Sequence, residues 1–225
     1  MEFSQQQHYS PQTPAQASVS RVMLNVILAL IPGIAVYIHY FGWGVLVNIV
    51  LASLFALLAE GLILAIRRRP VVTTLMDGSA LLTGILLALA LPSYTAWWVT
   101  AVGIIFAIII AKQLYGGLGL NPFNPAMTGY VVLLISFPLE MTRWNPPLEL
   151  AEQSMNLLEA FRYSFTGSLP QRMDIDMISL ATPLDLVRGR LDMGFNLSQI
   201  RSEYSIFSNL SGKGTELINI AFLAG

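Results

Sequence analysis

WGVLVNIVLASLFALLAEGLILAI, residues 43–66, carries a single charge, Glu60, in a run that ends on Arg67-Arg68-Arg69. A helix rises about 1.5 Å per residue, and about 20 mostly apolar residues cross the hydrocarbon core of a bilayer. This stretch is long enough to do so, and it sets the expectation for its neighbours. Upstream, Val22–Tyr40 supplies another span, with Pro32-Gly33 near its middle as an expected kink. Downstream, Leu75–Leu91 is shorter and closed by Pro92, and Ala96–Ala111 is entered through Trp97-Trp98, an interfacial aromatic pair. Pro125–Phe137 is a fifth, short span opened by a run of Asn and Pro. A sixth begins at Glu216-Leu217, but the residues left before Gly225 reach only about 14 Å, so the natural protein is expected to continue. The fold class expected is an all-α polytopic membrane protein, a bundle with short and broken helices.

Composition agrees. Hydrophobic residues make up 55% of the 225 positions and charged residues 11%, with a mean hydropathy of +0.63. Soluble domains carry about 25% charged residues. The charge is also unevenly placed, because ten of the thirteen acids and seven of the twelve bases follow Pro138. A net charge of −1 gives no footing for nucleic acid, so none is expected as a partner. The absence of cysteine excludes disulfides, iron–sulfur clusters and thiolate metal sites within this chain. His8 and His39 are far apart, so no metal site is expected.

Residues 1–21 are polar and Gln-rich without a basic start and apolar core, so no cleavable signal peptide is read there. Basic residues in short loops orient the spans. With a cytoplasmic N-terminus, Arg21, Arg67–Arg69 and Lys112 all lie on the cytoplasmic side, and the opposite loops around Gly42 and Ser93 hold no Lys or Arg. The expected organisation is a cytoplasmic segment 1–21, a membrane domain 22–138 with five spans, an extracytoplasmic loop 139–214 and the start of a sixth span at 215–225. The loop carries turn signals at Asn145-Pro146-Pro147, Gly167, Gly189 and Gly194, and one amphipathic stretch, Leu148–Phe161.

Three constellations stand out. Lys112–Ala126, with three glycines and two Asn-Pro pairs, cannot be regular helix. Asn124 is a good N-cap and Pro125 suits the first helical position. The string fits either an amide-lined site for a phosphate, carboxylate or flavin carbonyl, or an ordinary turn before a capped helix; Lys112, Asn121 and Asn124 either shape an ion path or fold the loop. Asp77, at the start of a helix, either caps it against the dipole or ligates a cation. Glu60 is an intramembrane carboxylate, of a kind that is costly and usually functional, unless its closeness to Arg67 puts it at the interface. Ser79–Gly84 and Asn124–Gly129 each place a polar residue five positions before Gly at the start of a short span. Paired short segments of this kind point to broken helices at a midplane site. In the loop, Asp176–Asp185 reads as a strand-like run leading into a turn.

Thr74–Gly84, Lys112–Gly117 and Asn121–Ala126, extended by Ser136-Phe137-Pro138, Met141 and Trp144, resemble one family of membrane subunits. It contains the D subunits of Rnf complexes (ion-translocating ferredoxin:NAD oxidoreductases) and the B subunits of sodium-pumping NADH:quinone reductases. The resemblance runs from about Tyr9 to the end. It implies FMN held covalently through a phosphoester on a loop threonine, in a motif similar to Asp-x-x-Ser/Thr-Gly-Ala-Thr. Here Asp176, Ser179, Ala181 and Thr182 are in register, and Leu180 stands where the family pattern has Gly. Thr182 is therefore the expected attachment point, with Arg162, Arg172 and Arg188 as candidates for phosphate contact. The resemblance further implies a transporter-like fold of two related halves, of which this chain would hold the first, and a second flavin, riboflavin, shared with the complex. It also implies partner subunits bearing iron–sulfur and flavin centres, a flavin transferase, and the bacterial inner membrane. Electron transfer between ferredoxin and NAD partners would be coupled to Na⁺ or H⁺ movement; this subunit would not be catalytic alone. The competing reading is a urea- or ammonium-type channel or transporter, whose broken helices line a pore without redox chemistry.

Overall fold

A computed structural model describes residues 18–117, 121–151, 153–174, 179–208 and 212–225. Its regular elements are helices, and the only β-pairing among the described residues is an isolated bridge between Phe207 and Gly212. The helices are α1 (Val19–Phe41), α2 (Trp43–Ile66), α3 (Val71–Leu75), α4 (Ser79–Ala90), α5 (Trp97–Ile104, continued as a π-helix over Ile105–Leu114) and α6 (Pro125–Ser136). Then come α7 (Pro138–Met141), α8 (Leu157–Thr166), α9 (Pro183–Asp192), α10 (Leu197–Glu203) and α11 (Thr215–Ala224).

Three of these, α1, α2 and the 18-residue run Trp97–Leu114, are long and apolar enough to cross a membrane. α4 and α6 have 12 residues each, or about 18 Å, less than the roughly 30 Å core of a bilayer. They are the two short segments that the sequence singles out, and α3 with α4 forms a broken helix interrupted at Met76–Gly78. α4 lies at the centre of the bundle, where Ala80, Leu87 and Ala88 pack with Ala52 and Ala56 of α2, Ile104 and Ile108 of the next span, and Leu133 of α6. Small residues allow this. A Cβ on Gly84 would stand 2.9 Å from the Ala52 carbonyl oxygen, and one on Gly129 would stand 2.5 Å from that of Gly103. The backbones therefore meet directly, as helices in lipid do when packing and not water expulsion drives association. On the outer side of α2, Val50, Leu54, Leu58, Leu62 and Ile66 recur every four residues, and all are exposed. They form an apolar stripe suited to lipid.

The structure adds to the sequence reading in three places. α1 continues through Pro32, and the buried Gly33 accepts the ring of Phe222 from α11. The amphipathic stretch Leu148–Phe161 becomes helix only from Leu157, because Asn156 and Glu159 form a reciprocal capping box that starts α8 there. The fourth span does not end at Ala111; it runs on in π geometry to Leu114, carrying Lys112 inward.

The loop is bound to the bundle by polar contacts at the ends of helices. Leu148 N donates to the Tyr40 carbonyl at 2.7 Å, and Asn145 Nδ2 donates to that of Phe41 at 3.2 Å. Ser164 Oγ donates to the Thr95 carbonyl at 3.1 Å, and the Phe165 ring stacks on Trp97 with centroids 5.8 Å apart.

Candidate functional site

Thr182 is the N-cap of α9. Pro183 follows with a φ suited to the first turn, so Thr182 keeps an extended backbone and turns its hydroxyl onto the helix start. Oγ1 accepts from the backbone N–H of Asp185 at 3.2 Å and donates to Asp185 Oδ2 at 2.6 Å. The other capped loop helices behave differently. Glu159 in α8 and Gln199 in α10 reach back to the backbone N–H of their N-cap residues, whereas the shorter Asp185 takes the Thr182 hydroxyl itself.

Thr182 lines a cavity of about 360 Å³ between the loop and the bundle. Tyr37 and Phe41 of α1, Phe222 of α11 and Trp144 supply aromatic walls, and Leu180 and Ala181 complete the side from which Thr182 enters. Leu180 is fixed there by its N–H, which donates to the Trp144 carbonyl at 3.0 Å. A second hollow of about 410 Å³ shares Thr182, Pro183 and Thr215. Ligand pockets of roughly 300–1,000 Å³ with apolar, aromatic linings and few polar groups are the common form of a cofactor site.

A second polar centre lies within the bundle. Glu60 is seventeen residues along α2 from Trp43, about 26 Å, so it is remote from the end of α1 that lines the cavity. Its side chain is 0% exposed and that of Lys112 is 1% exposed; Lys112 Nζ stands 2.6 Å from Glu60 Oε1. Gln113 Nε2 donates to the same oxygen at 2.7 Å, and Lys112 Nζ donates to Ser79 Oγ at 2.7 Å. The Ser79 hydroxyl and N–H both donate to Asp77 Oδ1, one residue ahead of the Gly78 N-cap of α4. Arg67 donates to the Gln113 carbonyl. Glu60 Oε2 and Gln113 Oε1 are buried without a partner among the described residues. The chain of contacts therefore joins α2, α4 and the π-helical segment through charges withdrawn from solvent.

The sequence-derived residues divide between these places. Ala181 and Thr182 line the cavity; Ser179 is not among its lining residues; Asp176 lies outside the described residues. Asp77 and Lys112 belong to the buried network, whereas Asn124 caps α6 by accepting from the N–H groups of Ala126 and Met127. Asn121 Nδ2 donates to the Phe123 carbonyl at 2.9 Å within the loop before α6. Arg172 pairs with Glu159 at 2.7 Å, and none of Arg162, Arg172 and Arg188 lines the cavity. Lys213 does line it. No motif marked Lys213, which is brought there by the turn between Phe207 and α11. Gln113 lay within the Lys112–Ala126 string but was given no role of its own, and the π-helix turns it inward.

Broken helices around small-residue contacts, a buried ionic network and an aromatic cavity under a loop define an all-α polytopic membrane protein with a cofactor-sized site. The chain belongs to the NQR2, RnfD, RnfE family, which it matches over residues 6–225. Proteins named as the D subunit of an ion-translocating oxidoreductase complex, from Shigella dysenteriae serotype 1, Escherichia fergusonii and Escherichia coli, are 51% identical to it over 224 residues. The alignment covers 96% of this chain and 63% of each relative, so the chain spans under two thirds of their length.

Proposed function

We propose that this chain is a membrane subunit of an ion-translocating electron-transport complex and carries FMN covalently, through a phosphoester on Thr182. The observation that carries this reading is the place of Thr182 among the residues that line the aromatic cavity. The lining fits the group: an apolar slot of cofactor size, a threonine, Thr182, able to form the ester, and, among the described residues, one cation, Lys213. When bound, the flavin supplies one-electron redox chemistry, and the protein's share is to hold and tune it. Thr182 tethers it, Tyr37, Phe41, Trp144 and Phe222 enclose it, and α9 presents its N-terminal amides to the phosphodiester. The ester leaves Oγ1 without its proton, so the hydrogen bond to Asp185 Oδ2 is surrendered and the phosphodiester takes over as the anion at the helix start.

In the same reading Thr182 faces the extracytoplasmic side of a bacterial inner membrane, where a flavin transferase modifies it. Iron–sulfur and flavin subunits exchange electrons with it between ferredoxin and NAD, and riboflavin is shared within the complex. The relatives are named for ion translocation, and the Asp77–Ser79–Lys112–Glu60 network is the element of this chain proposed to respond to Na⁺ or H⁺ passage, with Asn121 and Asn124 at the adjoining loop.

The deciding experiment is a denaturing gel of the chain expressed with a flavin transferase, viewed under ultraviolet light. A fluorescent band that persists in Thr166→Ala and vanishes in Thr182→Ala is expected. A dark wild-type band overturns the flavin reading and leaves the solute-channel reading in its place.

A further inference from the structure

Among the described residues, Lys213 is the one charged side chain lining the 360 Å³ cavity at Thr182, and its other lining residues are apolar, aromatic, or bear only a hydroxyl or amide; Arg201 lines the adjoining hollow. Among the described residues no carboxylate pairs with its ammonium. Its position is fixed by the backbone. Lys213 N donates to the Ile206 carbonyl at 2.9 Å, next to the Phe207–Gly212 bridge. A Cβ on Gly212 would come within 2.7 Å of Pro183 Cγ, so the glycine packs directly against the residue that follows Thr182. The backbone of Lys213 is thereby tied to the same wall as Thr182.

An unpaired cation beside an apolar wall is poorly placed unless an anion joins it. The same low dielectric that penalises it alone makes its attraction for a nearby negative charge several-fold stronger than in water. With no carboxylate among its described lining residues, the cavity favours ligands that are, or become, negative.

We propose that Lys213 is the countercharge of this cavity, offsetting the negative charge that the flavin ring gains on reduction and so raising its reduction potential. This rests on the Thr182 reading. With flavin bound, a partner's reduced iron–sulfur centre would lose one electron and the ring would gain it. No bond forms or breaks, and the added charge of −1 is met by the +1 of Lys213. Lys213 positions charge and does not itself react.

The test is a spectroelectrochemical titration of the full chain, solubilised in detergent after expression with a flavin transferase, for wild type, Lys213→Met, Lys213→Gln and Lys213→Arg. Both neutral variants are expected to disfavour the reduced ring about tenfold, a fall of about 59 mV for a one-electron step, and the arginine variant to stay close to wild type. Neutral variants that carry flavin at the wild-type potential overturn the proposal and leave Thr182 attachment standing. Neutral variants that are folded but flavin-free also overturn it, because Lys213 then acts in attachment and not in tuning. A wild-type chain without covalent flavin removes the Thr182 reading and this proposal together.

Discussion

Glu60 and Lys112 form an ion pair at 2.6 Å with both side chains withdrawn from solvent. Breaking a buried pair by removing one partner leaves an uncompensated charge and typically costs about 3–5 kcal/mol, whereas replacing both with apolar groups is often neutral. Glu60→Leu and Lys112→Met should therefore each destabilise the protein by about that amount, while the double variant recovers most of the loss. Thermal unfolding in detergent measures this. Single variants as stable as wild type would show that the pair is not formed in the membrane-extracted protein.

The close approach of helices at Gly129 is tighter than that at Gly84, with a Cβ 2.5 Å from the Gly103 carbonyl oxygen against 2.9 Å from that of Ala52. Overpacking of this kind costs about 1–3 kcal/mol. Gly129→Ala should fall towards the upper end of that range and Gly84→Ala towards the lower, measured as loss of thermal stability. The reverse order would contradict the packing described.

Thr182→Ala removes the α9 N-cap as well as the proposed attachment oxygen, and cap loss alone costs about 1 kcal/mol. Thr182→Ser retains a hydroxyl in the same place. The serine variant is expected to keep both the stability of the loop and in-gel flavin fluorescence, and the alanine variant to lose both. Limited proteolysis of the loop follows the first property independently of the second.

The Tyr94 phenol is pushed above the ordinary tyrosine range, chiefly by burial and further by the Glu159 charge, against a lowering hydrogen bond with the Met155 backbone. Because the folded value is raised, the contribution to stability is intact below the unfolded value of about 10 and is lost as pH rises from there through the folded value. Stability of the wild type should thus decline above about pH 10, and Tyr94→Phe should decline less. Tyrosinate absorbance followed against pH, beside thermal unfolding, checks both halves.

Much of the membrane part is legible along the chain because lipid imposes its demands on consecutive residues. Trp43–Ile66 needed only length and apolarity to be read as a helix, and Asn124-Pro125 announced the start of α6 through local hydrogen-bonding chemistry. Thr182 was singled out by resemblance; nothing in its composition separated it from other threonines.

The remaining features depend on neighbours distant in sequence. Lys112 reads as the basic end of a span, yet π geometry over Ile105–Leu114 swings it and Gln113 onto Glu60, more than fifty residues earlier. Lys213 reads as a polar turn residue until the Phe207–Gly212 bridge sets it beside Thr182 and Pro183. The sequence by itself determined a helical membrane protein with two short spans, since hydrophobic length and helix caps are local properties. Only the tertiary structure decided which charges are buried together and which cation shares the Thr182 cavity, because a charge's environment is set by whatever folds against it.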